Sequence, residues 1–244
     1  MRGRWWLLVL LLTPLQLQAQ QDDEYLMEIG GGIGLTAYVG DFNSHVLKQM
    51  QPSVSLLLRR NLNPYSGFRL SLAYGKLKGS TEGTATWFPA TTVAQGVTPL
   101  TEADVPTTPA AMRYAFSNSM ADATLVYEYN FWPYGTGRDY RGARRLTPFL
   151  FGGLGATYIT AGTDKVCAMQ VPVGVGVKYK VATRLNVALE WCMHFSLSDR
   201  LDGVEDPYGI PSSGMFKNAD GYSALQLSLS YSFMTKCRTC NNDD

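Results

Sequence analysis

The sequence lacks an excess of either charge, a long hydrophobic run and any repeat or low-complexity block. Its 244 residues carry 21 lysines and arginines and 20 aspartates and glutamates, so the formal net charge is +1. Without a basic excess we expect no nucleic-acid partner. The longest apolar run, residues 5–12, is far shorter than the roughly 20 residues of a spanning helix, which excludes a helical multipass membrane protein. The 45% hydrophobic content still suffices for a folded domain.

Cysteines are also few. The chain contains Cys167, Cys192, Cys237 and Cys240. A secreted disulfide scaffold has a denser set than this. Cys237 and Cys240 have C-x-x-C spacing, but no second pair or flanking histidine completes a zinc site. We therefore expect no metal and no cofactor, and a local or intermolecular disulfide at the C-terminal tail.

Residues 1–19 have the pattern of a secretory signal peptide. Arg2 and Arg4 precede the apolar run WWLLVLLL, and the segment ends on the small residue Ala19. A charged start, a short apolar stretch and a small residue at the cleavage site are typical of such signals. We expect cleavage after Ala19 and export of the remaining chain.

Alternation of apolar with polar or small residues predicts strands in the exported chain. The clearest segment puts Leu225, Leu227 and Leu229 on one parity and Gln226, Ser228 and Ser230 on the other. Gly152 and Gly153 suggest a bulge or kink in another segment. Eight segments are predicted as strands, at residues 25–39, 51–62, 68–75, 121–131, 147–160, 171–181, 184–197 and 223–233. Two of them, 51–62 and 147–160, alternate less regularly.

Three features indicate that the apolar parity faces lipid. The strands are long, as a tilted membrane crossing requires. Aromatic residues cluster at strand ends, as in an interfacial girdle, at Phe131, Trp132, Tyr134, Tyr231 and Phe233. The other parity carries too many charges for an oily ligand calyx, namely Glu28, Arg69, Asp122, Glu128, Lys178 and Glu190. We predict an all-β fold, an eight-stranded antiparallel up-and-down transmembrane β-barrel.

Loop lengths predict the orientation. Connections 61–67, 133–146 and 181–183 are mostly short, whereas connections 41–50, 77–113, 161–170 and 198–221 are longer. Short periplasmic turns and longer external loops are typical of the outer membrane. We therefore expect a barrel over residues 20–235 in contact with outer-membrane lipid, and a periplasmic tail over residues 236–244.

The connection 133–146 is unusually long for a periplasmic turn and is basic. It carries Arg138, Arg141, Arg144 and Arg145. Arginine is enriched both at anionic headgroups and in protein interfaces. The pattern therefore leaves two interpretations open, contact with the inner leaflet and docking of a periplasmic partner.

The inward charges also have two interpretations, an ion or proton path and a paired plug. Opposite charges on neighbouring strands and the cost of an unpaired buried charge favour the plug. His194 and Ser196 share a strand face, but this spacing alone does not build a catalytic triad. GGGIG at residues 30–34 lacks the helix that follows a dinucleotide loop. We expect a non-enzymatic protein without a small-molecule substrate.

Several phrases together resemble the PorG-like family of Bacteroidota outer-membrane barrels, a component of the type IX protein secretion system. They are EIGGGIG (28–34), YVGDFN (38–43), LLRRNLNP (57–64), LAYGKLKG (72–79), YEYNFWPYG (127–135), LTPFLFGGLGATY (146–158), VPVGVGVKYK (171–180), SDRLDGVEDPYG (198–209), SLSYSF (228–233) and CRTC (237–240). The resemblance covers nearly the whole exported chain, and the segment 80–111 looks like a variable surface loop.

The resemblance implies periplasmic docking to a ring that contains a PorK-type lipoprotein and a PorN-type protein. Candidate contacts are the four arginines of the basic turn together with Cys237 and Cys240. The rival hypothesis is a general surface barrel, an adhesin or envelope-stabilising protein that works through its external loops. An eight-stranded barrel is too narrow for folded cargo on either hypothesis.

Overall fold

Eight long strands form nearly all of the chain that the computed structural model describes, which is residues 25–39, 49–80, 98–99, 114–135, 143–161, 164–197 and 221–235. The strands are β1 (Tyr25–Val39), β2 (Gln51–Asn63), β3 (Ser66–Ser80), β4 (Tyr114–Asn130), β5 (Leu146–Ala161), β6 (Asp164–Ala182), β7 (Leu185–Ser196) and β8 (Gly221–Thr235). A two-residue strand, Thr98–Pro99, pairs with the start of β4. Among these residues, no helix is long and apolar enough to span a membrane.

The eight strands close into an up-and-down barrel. Each pairs antiparallel with its neighbours in sequence, and β8 pairs back onto β1. Following paired residues from Met27 once around the sheet returns to β1 at Ala37, ten residues further on. Such a stagger requires strands that are tilted against the barrel axis. The predicted fold is confirmed.

The two faces of the wall differ as the alternation requires. Ile33, Leu56 and Leu154 point outward and are 66%, 67% and 61% exposed. The residues between such positions point inward, and most of those that are fully buried are polar or charged. A belt of exposed aliphatic side chains around a polar interior is stable only where hydrocarbon covers the belt. The barrel is therefore a membrane-spanning one.

Aromatic side chains ring the end of the barrel that carries the connections 64–65, 131–145 and 183–184, which we call the turn end. Together they form what we call the turn-end girdle, comprising the exposed residues Tyr65, Phe68, Tyr127, Tyr129, Phe131, Trp132, Tyr179 and Tyr231. Tyr134 was expected in this girdle, but it is buried and its hydroxyl donates to Asn186 Oδ1 at 2.9 Å. The prediction for Tyr134 was wrong because the turn folds its ring back under the barrel.

At the opposite end, which we call the loop end, the strands run further than predicted. β6 begins at Asp164, so most of the expected loop 161–170 is strand, and Cys167 lies exposed on β6. β3 and β4 likewise continue to Ser80 and from Tyr114. Beyond the apolar belt a strand has no need of outward apolar residues, so alternation did not reveal these extensions.

The predicted bulge or kink at Gly152 and Gly153 is a gap in the strand pairing without a register shift, since β5 and β6 pair at Gly152 and again at Gly155 in the same register but not in between. Pairing of β4 with β5 runs through both glycines in one register. The register shifts instead lie beside two turns, between Asn61 and Asn63 on β2 and between Lys180 and Ala182 on β6. Gly153 allows close packing of β4 on β5, because a Cβ there would lie 2.1 Å from Leu125 O, whereas a Cβ on Gly152 would make only an ordinary contact.

Candidate functional site: the barrel lumen and its turn end

The half of the lumen towards the turn end holds a network of charges centred on Glu128. The charge network consists of the acids Glu28, Glu128 and Glu190 and the bases Arg59, Arg69 and Lys178. Glu128 is ion-paired with three bases: Arg59 Nε lies 2.8 Å, Arg69 Nε 2.7 Å and Lys178 Nζ 2.5 Å from its carboxylate oxygens. All six groups are buried, and three negative charges face three positive charges.

Two further ion pairs extend the network to the barrel wall. Arg59 Nη1 lies 2.6 Å from Glu28 Oε2, which also accepts the Ser230 hydroxyl at 2.9 Å. Arg69 Nη1 lies 2.6 Å from Glu190. Because β3 and β7 are four strands apart in a closed eight-stranded sheet, the Arg69–Glu190 pair crosses the lumen. This arrangement is that of a paired plug rather than an ion path.

Aromatic rings fill the space beside the charges. Phe149 lies 4.3 Å from Lys178 Nζ and Phe151 lies 4.8 Å from the Arg69 guanidinium, measured to the ring centroids. The rings fit because β6 presents glycine opposite them. A Cβ on Gly174 would lie only 2.4 Å from Phe151 Cζ. The rings therefore contact Arg69 and Lys178 in addition to the carboxylates and help to hold both cations in place.

Asp122 was expected among the lumen charges, and the structure places it inside the barrel but apart from the charge network. Its Oδ2 accepts the Tyr222 hydroxyl at 2.8 Å and the Thr157 hydroxyl at 3.2 Å, and it also accepts the Gln170 amide. His194 Nδ1 lies 3.0 Å from Gln170 Oε1, and its ring stacks on Tyr222 with centroids 4.2 Å apart. We call these five residues the upper polar cluster.

A small cavity separates the upper polar cluster from the charge network. Its volume is about 40 Å³, enough for roughly two or three water molecules, and Ser55, Ser71, Glu190 and Cys192 are among its lining residues. Above the cluster, the loop end is filled by buried apolar side chains, including Tyr38, Leu77, Phe116, Met120 and Ile159. The lumen is therefore a closed interior.

The described side chains of this interior contact one another through packing and hydrogen bonds. The His194 ring holds Gln170 and Tyr222 in place, and Ser196 is buried further along the same strand face. Within the described ranges, no group of three or more histidine, cysteine or acidic side chains is placed to hold a metal ion. Cys167 and Cys192 are free thiols.

Arg59 is the member of the charge network that alternation missed. Ser53, Ser55, Leu57 and Arg59 all face inward on β2 and are buried. Leu57 places an apolar residue in this inward series, so LLLRR does not look like an alternating segment. Counting every second residue back from Arg59 to Ser53 would have identified it.

The turn between β4 and β5 is bound firmly to the barrel. The Tyr134 amide donates to Pro64 O at 2.9 Å, and the Lys180 amide donates to Arg145 O at 2.8 Å. Burial raises the pKa of the Tyr134 phenol, so its hydroxyl remains a donor to Asn186. Arg144 and Arg145 are exposed. Arg138, Arg141, Cys237 and Cys240 lie outside the described residues.

Tyr134→Phe tests this anchoring of the turn. We expect a loss of about 1 kcal/mol in the free energy of unfolding, because Asn186 Oδ1 loses a buried donor. Urea unfolding monitored by tryptophan fluorescence measures it. Tyr129→Phe, at an exposed position of the girdle, is the matched control and should change stability by less than about 0.5 kcal/mol. Equal losses in the two variants would contradict the anchoring role.

A closed up-and-down barrel with an apolar belt, an aromatic girdle and a filled polar lumen defines a small β-barrel of the outer-membrane type. Within this class, the chain belongs to the family described as "Domain of unknown function (DUF6089)", whose model matches residues 4–242. No curated protein matches the chain.

Several solved structures are similar to this chain. Ail, the attachment invasion locus protein of Yersinia pestis, in complex with the heparin analogue sucrose octasulfate, is 11% identical, with 86% of this chain and 99% of that chain covered and a TM-score of 0.45. Neisserial surface protein A is 12% identical, with 85% and 97% covered and a TM-score of 0.46. The N-terminal barrel domain of Pseudomonas aeruginosa OprF is 12% identical, with 86% and 99% covered and a TM-score of 0.44.

Proposed function

We propose that this chain is a non-enzymatic outer-membrane component of the type IX protein secretion system, which anchors a periplasmic ring of PorK and PorN types. The proposal starts from the sequence phrases that resemble the PorG-like family along nearly the whole exported chain. The structural observation that carries it is the closed lumen. Because the Arg69–Glu190 pair crosses the barrel and the loop end is packed, the protein acts through its ends.

The turn end is the docking end in this proposal and faces the periplasm. It holds the turn between β4 and β5, which is anchored by backbone hydrogen bonds at Tyr134 and Arg145. Arg138 and Arg141 belong to the same turn in sequence, and the tail with Cys237 and Cys240 follows β8, which ends at this side of the barrel. In this proposal the basic turn and the cysteine tail together supply the docking contacts, and the barrel fixes the residues from which both begin.

Deletion of residues 237–244 tests the proposal. We expect loss of co-purification with the ring proteins and impaired secretion, because the tail is removed while every described strand stays intact. The measurement is affinity purification of the intact envelope complex under non-reducing conditions, together with a secretion assay. Cys240→Ser adds a sharper test, since a disulfide to a partner predicts a high-mass band that disappears with the variant and with reductant.

Replacement of residues 81–97 by a short Gly-Ser linker is the matched control, because this segment belongs to the opposite end of the barrel. We expect secretion and co-purification to stay unchanged. The reverse result, in which the loop matters and the tail does not, would overturn the proposal and support a surface barrel that acts through its external loops.

A further inference from the structure

The turn end carries exposed arginines that have no carboxylate partner among the described residues. We call Arg60, Arg144, Arg145 and Arg184 the turn-end arginines, and all four are exposed. The described part of the chain contains five carboxylates. Glu28, Asp122, Glu128 and Glu190 are buried in the lumen, and Asp164 begins β6 at the loop end. None of the turn-end arginines is ion-paired within the described residues.

Arg184 is held in place by two tyrosines of the barrel wall. Its Nε donates to the Tyr25 hydroxyl at 3.0 Å and its Nη1 donates to the Tyr231 hydroxyl at 3.1 Å. The guanidinium also lies 5.2 Å from the centroid of the Tyr25 ring. Both partners are neutral, so they orient the guanidinium without cancelling its charge, and its remaining N–H groups stay available to an anion.

Arg144 is positioned in the same way by a different aromatic residue. Its guanidinium stacks 4.9 Å from the centroid of the Trp132 ring, and Trp132 belongs to the turn-end girdle. Girdle tryptophans and tyrosines sit at the level of lipid headgroups. The two best-held guanidiniums therefore lie at the depth where phospholipid phosphates are found.

The distribution of the turn-end arginines distinguishes a lipid from a protein ligand. Arg60 lies on β2, Arg144 and Arg145 lie between β4 and β5, and Arg184 lies between β6 and β7. They are spread around the rim rather than gathered on one side. A leaflet surrounds the whole barrel, so this spread fits phospholipid headgroups, while Arg138, Arg141 and the tail remain the docking contacts of the proposed function.

We propose that the turn-end arginines bind the phosphates of anionic phospholipids in the leaflet that meets the turn end, with Arg144 on Trp132 and Arg184 on Tyr25 and Tyr231 as the two principal sites. The guanidinium gives a planar donor set that matches phosphate oxygens. The adjacent aromatic ring provides an amphipathic surface for the glycerol and upper acyl region of the same lipid. The sites also fix the depth at which the barrel sits.

Quenching of Trp132 fluorescence by brominated lipid tests the Arg144 site directly. The full chain with Trp5→Phe, Trp6→Phe, Trp87→Phe and Trp191→Phe keeps Trp132 as its single tryptophan. It is refolded into phosphatidylcholine vesicles that contain dibrominated phosphatidylglycerol, or dibrominated phosphatidylcholine at the same level. We expect Trp132 to prefer phosphatidylglycerol by about fivefold, the effect of one arginine near an anionic headgroup. Arg144→Gln should bring the preference close to unity, and high salt should weaken the preference of the unsubstituted protein.

Three controls make the result specific. Lys76→Gln removes one exposed positive charge at the loop end and should leave the preference at Trp132 unchanged. A version that keeps Trp191 on the lipid-facing side of β7, with Trp132→Phe, should not respond to Arg144→Gln. The mobility difference between boiled and unboiled samples confirms that each variant is folded.

Two outcomes would overturn the proposal. One is a preference at Trp132 that Arg144→Gln leaves intact. The other is the absence of any preference for phosphatidylglycerol at Trp132 in the unsubstituted protein. Loss of co-purified ring proteins in Arg144→Gln would in either case assign Arg144 to a protein partner. A lipid preference that depends on Arg144, with co-purification retained, supports the lipid site and leaves the secretion proposal to its own deletion test.

Discussion

Replacing Glu128 by glutamine lowers the free energy of unfolding by about 3–5 kcal/mol, the cost of removing one partner from a buried ion pair. Glu128 is the carboxylate that Arg59, Arg69 and Lys178 share. Its neutralisation leaves three buried cations facing two anions in a closed lumen. The glutamine keeps the shape of the side chain, so the loss reports charge rather than packing.

Urea unfolding of the barrel in lipid vesicles, monitored by tryptophan fluorescence and by the mobility shift of unboiled samples, measures this loss. Glu190→Gln provides a graded control. Among the bases of the network Glu190 is ion-paired with Arg69 alone, so this substitution should lower the free energy of unfolding by less. Adding Lys178→Met to Glu128→Gln restores the balance of two acids and two bases. We expect the double variant to be more stable than Glu128→Gln, which is a clear departure from additivity.

A change of less than about 1 kcal/mol for Glu128→Gln, within the range of exposed ion pairs, would contradict the network as a stabilising plug. So would a double variant whose losses simply add. In either case the lumen would have to solvate the unpaired cations with water. An ion path through the barrel would then be open to study by conductance in planar bilayers.

Alternation predicted which face of each strand points inward, and with it the class of fold. Glu28, Glu128 and Glu190 were placed in the lumen because the side-chain period of a strand is two. Their partners could not be deduced in the same way. Arg69 and Glu190 are 121 residues apart in sequence, and only the closure of the sheet and its stagger bring them together.

The remaining differences between prediction and structure lie outside the apolar belt, where outward side chains need not be apolar. The extension of β6 back to Asp164 passes through Lys165 and Cys167, which point outward above the apolar belt. The Tyr134 ring points into the barrel, where its hydroxyl donates a hydrogen bond to Asn186. Polar strand ends and a single buried hydroxyl give no periodic pattern in the sequence. The sequence therefore predicts a loop for Lys165 and Cys167 and a girdle position for Tyr134.

Glycines in the barrel wall determine what the lumen can hold, and Gly174 is the sharpest case. A Cβ at this position would lie 2.4 Å from Phe151 Cζ and 2.6 Å from the Trp191 carbonyl oxygen. The first contact belongs to the ring that stacks on Arg69 and the second to the backbone of β7. We expect Gly174→Ala to cost about 1–3 kcal/mol, as overpacking in a filled core does.

Gly152→Ala is the matched control, because a Cβ there would meet only Pro172 O at 3.7 Å, an ordinary contact. Its stability should lie within about 0.5 kcal/mol of the unsubstituted protein. Adding Phe151→Leu to Gly174→Ala removes the ring contact but leaves the carbonyl contact, so only part of the loss should return. Equal stability of the two alanine variants in urea unfolding would mean that the ring moves freely, and Phe151 would then no longer hold Arg69 in the charge network.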